Sequence, residues 1–399
     1  VTMAHRATRR TALSTTDSPA LVLGDRDLAA PLHAAGAPVT LVSRPTDIAR
    51  YSRYVSRWLA DPRPDDDALA ATLLAAARLG RQPAVLFYQQ DDDLLFVSRR
   101  RRELAPDLRF VIASADLVEK LVDKAAFQDL AAQVGLPVPC GRVLDLTGPL
   151  PATAELSFPL LVKPLRRESS WDSASAAKAA VVRDGRQLDD LVRRLDGRHA
   201  RVIVQQPIDG PESRIESYHV YVDATGQVAA EFTGRKLRTY PRSLGHSTAV
   251  VTTDAPDVVR VGRDVVDRLA LTGVAKLDFK RGADGRLWLL EINPRFNLWH
   301  NVGAAAGVNI PATVRADLLG RPRPRRAAAR PGVAWCHVKP DLLSAREEGT
   351  SVGSWLRWAV ACETRSGLDP ADPMPHLVGK LAVPLYRRIR RRPERPDGT

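Results

Sequence analysis

The chain has 399 residues, 44% of them hydrophobic, and a formal net charge of +13. That length holds two or three domains and a sizeable core. No apolar run approaches the roughly 20 residues that span a bilayer, and the first twenty residues do not read as a signal peptide, so a cytoplasmic protein is expected. The basic excess invites a nucleic-acid reading, but much of it lies in three runs, Arg99 to Arg102, Arg321 to Arg330 and Arg387 to Arg392. The last two read as a linker and a tail, and no nucleic-acid partner is expected. Of the 59 basic residues only nine are Lys. In a chain that so prefers Arg, each Lys points to a need for a compact ammonium on a flexible stem.

In chain order, Ala20 to Leu23 reads as an apolar strand, followed by Gly24, a helix through Ala35, a stop at Gly36 and a strand over Val39 to Val42. A helix over Asp66 to Leu79 and a strand over Ala84 to Tyr88 repeat the unit, so residues 1–112 are expected to form an open α/β domain with a parallel sheet. No GxGxxG follows the first strand, which leaves dinucleotide binding unsupported. One helix is expected over Ala115 to Val134, closed by Gly135 and the Pro137/Pro139 pair. Alternating strands and hairpins then run to Glu291, with turns at Asp223 to Gly226 and at Ala283 to Gly285. A helix over Val302 to Leu319 ends at Gly320. The Arg/Pro/Ala-rich stretch 321–331 reads as a linker, and 332–399 as a small, mostly helical extension with a Trp-bearing helix near Ser354 to Cys362. Cys140, Cys336 and Cys362 have no CxxC or CxxH partner and read as buried small hydrophobes rather than a disulfide framework or zinc site.

The most informative stretch is Val274-Ala-Lys-Leu-Asp-Phe-Lys-Arg-Gly-Ala-Asp-Gly-Arg-Leu-Trp-Leu-Leu-Glu-Ile-Asn-Pro-Arg295. With Asp284-Gly285 at the turn, Asp278 faces Glu291 and Lys276 faces Asn293. These four share one face of the hairpin, and Leu277, Phe279, Leu290 and Ile292 take the other. Two carboxylates opposite each other repel. A hard divalent cation between them reverses the sign, and an Asp, a Glu and an Asn carbonyl are oxygen ligands that Mg²⁺ or Mn²⁺ accepts beside nucleotide phosphates.

This stretch, with Glu291-Ile-Asn-Pro-Arg295-Phe at its end, resembles the metal-binding strand of the ATP-grasp superfamily, and the likeness runs from about Ala20 to Gly320. It implies a domain over 113–320 in which two α+β subdomains clamp ATP. It implies Mg²⁺ on Asp278, Glu291 and Asn293, Arg295 steadying the phosphoryl-transfer transition state, and Lys276 facing the transferred phosphate. Lys124 in Asp123-Lys-Ala-Ala-Phe and Lys163 in Phe158-Pro-Leu-Leu-Val-Lys-Pro164 are similar to the family's two phosphate-contacting lysines. In Val202-Ile-Val-Gln-Gln-Pro-Ile-Asp-Gly-Pro-Glu212, Gln206 and Ile208 match the backbone contacts to adenine and Glu212 the acid on the ribose. Gln205 stands where relatives usually carry Glu, which puts the contact to the adenine amino group in doubt.

Arg166 to Ser175 fits the family's mobile loop over the phosphates, or an ordinary surface loop. Arg235, Lys236 and Arg238 fit phosphate or substrate-carboxylate contacts, or a basic surface strand. His300 is a base for the amine or a packing residue. The resemblance extends to D-aspartate ligase and related carboxylate-amine ligases through Asn301 to Pro311. It implies an ADP-producing ligase that joins a small carboxylate to an amine through an acyl phosphate, with homodimers common among relatives. Bicarbonate activation and a non-catalytic ATP-binding regulator stay as alternatives. The basic, partly apolar tail Leu377 to Arg392 fits weak contact with an anionic membrane, or packing on the core.

Overall fold

A computed structural model describes residues 18–80, 82–146, 158–165, 179–195, 201–325 and 327–382. The stretch 166–175 and the tail beyond 382 lie outside them.

The N-terminal part runs β1 (Ala20–Leu23), α1 (Arg26–Ala34), β2 (Val39–Ser43), β3 (Arg57–Ala60), α2 (Asp66–Arg78), β4 (Ala84–Tyr88), α3 (Asp91–Arg99), α4 (Arg101–Leu104) and β5 (Leu108–Arg109). The strands form a parallel sheet in the order β3-β2-β1-β4-β5. β1, β2 and β4 are buried along their whole length, as continuous apolar runs are when helices cover both faces of a parallel sheet. β3, α3, α4 and β5 carry weaker patterns and were not expected from the sequence.

The single helix expected over Ala115 to Val134 is two, α5 (Ala115–Val122) and α6 (Lys124–Val134). Asp123 between them leaves the helical region and caps α6, its side chain accepting from Ala125 N and Ala126 N. A short Asp at such a break satisfies orphan N–H groups better than it continues a helix. Next come β6 (Gly141–Asp145), β7 (Leu160–Pro164), β8 (Ala180–Val182), α7 (Gly185–Leu195) and β9 (Arg201–Gln205). They make an antiparallel sheet in the order β6-β9-β7-β8, with Leu188, Leu191 and Leu195 of α7 on its core.

The largest sheet comprises β10 (Ile215–Val222), β11 (Val228–Tyr240), β12 (His246–Thr253), β13 (Gly273–Arg281) and β14 (Leu287–Asn293), with α8 (Pro256–Arg268) on one face. The turns at Asp223 to Gly226 and Gly282 to Gly285 place Gly226 and Gly285 at φ 80°, where a side chain would be strained. The helix expected over Val302 to Leu319 is also two, α9 (Trp299–Ala305) and α10 (Ile310–Leu318). Gly307 at φ 104° turns the chain and Asn309 caps α10, accepting from Ala312 N at 3.0 Å.

Beyond the 321–325 stretch follow β15 (Ala334–His337), α11 (Val338–Glu347), α12 (Val352–Ala361) and β16 (Thr364–Ser366). β15 pairs antiparallel with β12 and β16 parallel with β15, so the segment read as an extension completes the largest sheet as its sixth and seventh strands. A π-helical turn, Pro375–Ala382, packs on residues 48–51, where a Cβ on Gly379 would stand 2.4 Å from Ile48. Cys336 and Cys362 are buried in one cluster with Trp355, whereas Cys140, expected to be buried, is exposed at the start of β6. No helix among the described residues is long and apolar enough to cross a membrane.

Candidate active site

β13 and β14 place the acids. Asp278 pairs with Glu291 and Lys276 with Asn293. Nearer the turn the register is shifted by one, so that Phe279 pairs with Leu289. Leu289 N–H donates to Pro137 O at 2.7 Å, and Leu290 becomes the extra residue of a β-bulge. The sequence assigned Leu290 to the core face. Leu289 holds that place, fully buried, and Leu290 is half-buried. The bulge converts a three-residue turn into the register that sets the two acids face to face.

Asp278 is 1% exposed. It accepts from Ser217 Oγ on β10 and from Lys276 Nζ at 2.7 Å, with Lys236 Nζ of β11 at 3.6 Å. Burial alone would push its carboxyl up, but the two ammonium groups and these hydrogen bonds hold it well below the usual carboxylate range. Lys276 goes the other way: burial, reinforced by Lys236, lowers it despite Asp278. Its Nζ lies 5.0 Å from the centroid of the Trp299 ring, which packs so closely on β11 that a Cβ on Gly234 would meet it at 2.8 Å. Lys236 is raised because Asp278, Glu291 and Glu212 outweigh its burial.

The second sheet supplies Lys163 from β7. Its Nζ donates to Gln205 Oε1 at 3.0 Å, and Gln205 Nε2 donates to Gln128 Oε1 at 3.1 Å. The Gln205 amide is thereby oriented with its oxygen toward the lysine. Burial lowers Lys163 to about 8, with Glu291 and Glu212 opposing the shift and Lys124 adding to it. Lys124, at the start of α6, donates to Pro164 O at 2.6 Å. Glu212 stands 4.0 Å from Lys280 Nζ. Asp278, Glu291 and Glu212 therefore share one electrostatic neighbourhood with five lysines, numbers 124, 163, 236, 276 and 280, between the two antiparallel sheets.

Other expected residues lie at the margin. Gln206 uses its backbone N–H on Cys140 O at 3.0 Å, and Ile208 is half-buried on the strand-to-turn connection. Arg295 turns toward the N-terminal domain. It donates to Asp91 Oδ1 at 2.5 Å and Gln89 O at 2.8 Å, and NH2 reaches Asn293 Oδ1 at 3.3 Å. Arg238 is not a phosphate or substrate contact: it forms a two-pronged pair with buried Asp341 of α11, at 2.8 and 2.7 Å, under the Trp358 ring. Arg235 is exposed. His300 is fully buried, accepts from Asn297 N at 3.2 Å, and burial with Lys276 lowers it to about 3. It is a packing residue rather than a base. Ser217, Trp299, Gln128 and Lys280 were not expected, because each joins the site through cross-strand register or tertiary packing and none belongs to a local motif.

The oxygen set fits a hard divalent cation. Asp278 keeps acceptor capacity beyond its Ser217 and lysine contacts. Glu291 is exposed and its Oε1 takes a 3.3 Å contact from Asn293 Nδ2, while Asn293 shares its carbonyl oxygen with Arg295.

Residues 216–339 match a family described as ATP-grasp in the biosynthetic pathway with Ter operon. A D-alanine–D-alanine ligase of Pseudomonas putida (strain GB-1) is 28% identical over 201 residues, 46% of this chain and 56% of that protein. A D-aspartate ligase of Enterococcus faecium (strain Aus0004) is 25% identical over 190 residues, 45% of each. The chain thus spans about half the length of the curated relatives it matches. Among solved structures, N5-carboxyaminoimidazole synthetase from Staphylococcus aureus complexed with ADP superposes with a TM-score of 0.62 at 12% identity, covering 83% of this chain and 86% of that one. L-amino acid ligase from Bacillus licheniformis gives 0.57 at 17%, covering 77% and 75%.

Proposed function

We propose that this chain, which has the ATP-grasp fold, is an ADP-producing ligase that activates a small carboxylate as an acyl phosphate for attack by an amine. The observation that carries the reading is the facing pair Asp278 and Glu291 beside Lys163, Lys236 and Lys276. Two acids and several half-compensated ammonium groups fit a polyphosphate with its metal, and leave a costly charge imbalance without one.

Asp278, Glu291 and Asn293 would hold Mg²⁺, which supplies charge neutralisation at the transferred phosphoryl group. Lys163 of the smaller sheet and Lys124 at the start of α6 bind and orient the phosphates from one side, and Lys236 and Lys276 do so from the larger sheet. The acid substrate's carboxylate oxygen attacks the γ-phosphorus as ADP leaves. The amine, as its free base, then attacks the carbonyl carbon, inorganic phosphate departs with the electron pair of the broken C–O bond, and the proton shed by the nitrogen goes to the departing phosphate. No side-chain nucleophile is needed, because positioning and electrostatics suffice. Glu212 serves the ribose, and the Gln205 amide, fixed by Lys163 and Gln128, borders the base.

The test is phosphate release from MgATP against a panel of carboxylic acids, bicarbonate included, each with and without amines and amino acids. Release that needs both an acid and an amine supports the ligase. Release with bicarbonate alone supports the carboxylase-like alternative, and binding of MgATP without turnover for any pair sinks the catalytic reading. Membrane contact through the basic tail belongs to the same proposal. It is tested by sedimentation with anionic liposomes, comparing the full chain with one ending at Ala382 so that the turn packed on residues 48–51 is kept. Equal sedimentation of the two would dismiss it. A single species at the monomer mass in light scattering would dismiss the homodimer.

A further inference from the structure

A folded chain in water turns the polar side of a surface helix outward. α12 does not. Trp355 and Ala359 pack inward with Ala345 of α11 and Cys336 of β15. Val352, Leu356 and Val360, four residues apart, form an outer stripe and are 53%, 54% and 68% exposed. The one charged residue on α12 is Arg357, exposed beside them, and its guanidinium donates to Ser354 Oγ at 3.2 Å. The exposed acids nearest in sequence, Glu347, Glu348 and Glu363, stand beyond the two ends of the helix, and Glu363 is taken by Ala334 N at 2.8 Å. Of the nine large hydrophobic side chains exposed among the described residues, seven lie between Leu343 and Leu377. Single exposures scattered over a surface are ordinary, but a concentration of them at helical spacing marks a surface that meets a partner.

The chain after α12 has matching chemistry. Arg365 Nε donates to Ala359 O at 2.7 Å, and the Arg365 carbonyl accepts from Arg26 at 2.9 Å. The end of the helix and the segment after β16 are thereby tied to the same corner of the N-terminal domain. There the π-helical turn Pro375–Ala382 packs on Ile48 and Tyr51 through Gly379, while Met374, Leu377 and Lys380 are exposed. The sequence has no acid between Asp372 and Glu394, and Arg387 to Arg392 holds five arginines. Apolar side chains beside an unbroken positive run complement a surface that is anionic outside and apolar just beneath. A second copy of this chain would instead bring the same positive run to the contact.

We propose that the outer face of α12, with Met374 and Leu377, docks on an anionic phospholipid bilayer. The apolar side chains enter the boundary below the head groups, and Arg357, Lys380 and the Arg387 to Arg392 run meet the lipid phosphates. This surface adds an apolar part to the tail contact proposed above and rests on that contact for most of its charge. The two parts respond differently to salt. The Debye length falls from about 10 Å at 0.1 M to about 3 Å at 1 M, so attraction to the arginines fades, whereas burial of Leu356 and Val360 is not screened.

The test is sedimentation of the full chain with vesicles of phosphatidylglycerol and phosphatidylcholine in equal parts, at about 0.1 M and about 1 M salt. Leu356→Gln with Val360→Gln changes two side chains that are more than half exposed, and Leu79→Gln, exposed at the end of α2, is the control. Thermal midpoints close to that of the wild type check that both variants are folded. The double variant should lower the partition coefficient about tenfold or more, and the control should stay within about twofold. At the higher salt the wild type should still sediment and the double variant should not. Loss in the double variant, with binding kept by the chain ending at Ala382, supports the α12 surface and dismisses the tail. A double variant that binds like the wild type overturns the proposal, and if the chain ending at Ala382 has lost its binding, the tail contact stands without it. Binding to phosphatidylcholine alone as strong as to the mixture also overturns it, since the lipid charge then has no part. A wild type that does not sediment at either salt sinks both, and a dimer in light scattering that the double variant returns to monomer would then put a second copy on α12.

Discussion

Lys163 carries the pH dependence that is most readily measured. Half-buried beside a neutral Gln205, it is desolvated enough that its pKa is lowered to about 8, so it is charged below that value and neutral above it. Phosphate affinity depends on the charge, and kcat/KM for ATP should fall as pH rises through about 8. Gln205→Glu would place a carboxylate on the same Nζ, and the limb should move upward, since an opposite charge at hydrogen-bond distance favours the ammonium. A pH–rate profile with an unmoved limb would assign it to another group. Glu291→Ala should cut phosphate release by about two to three orders of magnitude, the scale of losing one preorganised charge in a phosphoryl-transfer site. Much of this was legible because nine lysines stand among 59 basic residues and five of them converge. The His219 side chain illustrates what was not. It is stacked on Phe232 at 4.3 Å and kept neutral by burial, with His300 and Lys276 nearby, and nothing in Ile215 to Val222 marks it before the strands are paired.

At the scale of elements, hydrophobic alternation and turn glycines mark the hairpin, but Asp278 faces Glu291 because a three-residue turn is offset by the bulge at Leu290, where the sequence suggested an even-numbered turn and no bulge. The bulge at Leu290 escaped, because its cause is a hydrogen bond to Pro137, more than 150 residues earlier in the chain. The helix breaks at Asp123 and at Gly307 to Asn309 escaped for a different reason: apolar periodicity continues across them, while the caps that end one helix and start the next are single residues. Packing of α8 on the large sheet offers a test in which two effects oppose. Gly262→Ala gains about 1 kcal/mol of helix propensity, but its Cβ would lie 2.3 Å from the Tyr218 ring. That ring is fully buried and its hydroxyl donates to Glu231 at 2.6 Å. Overpacking against a ring that cannot move costs about 1–3 kcal/mol, so urea denaturation should show net destabilisation. A more stable variant would mean that α8 shifts freely on the sheet.

Over the whole molecule, the C-terminal segment is tied into the fold at two places. Asp341, fully buried, accepts from Arg238 twice, from Thr248 at 3.0 Å and from Trp355 at 2.8 Å. Ser366, Asp369 and Asp372 engage Asp27, Arg26 and Ser52 of the N-terminal domain. Asp341→Ala would strand the Arg238 charge and should destabilise the chain by about 3–5 kcal/mol in chemical denaturation. A loss below about 1 kcal/mol would mean that solvent reaches the site. None of this was readable from a segment without a catalytic motif, since its partners lie about a hundred or more residues away. Arg295 has a different consequence. It is bonded at once to Asn293 at the end of β14 and to Gln89 and Asp91 after β4. A cation that draws the Asn293 oxygen away must change what Arg295 can offer the other two. If a divalent cation takes the Asn293 oxygen, thermodynamic reciprocity requires that whatever factor it applies to the Arg295 contacts at the end of β4, those contacts apply to its own affinity. Replacing Arg295 with a side chain that cannot reach both partners should bring that shared factor toward one.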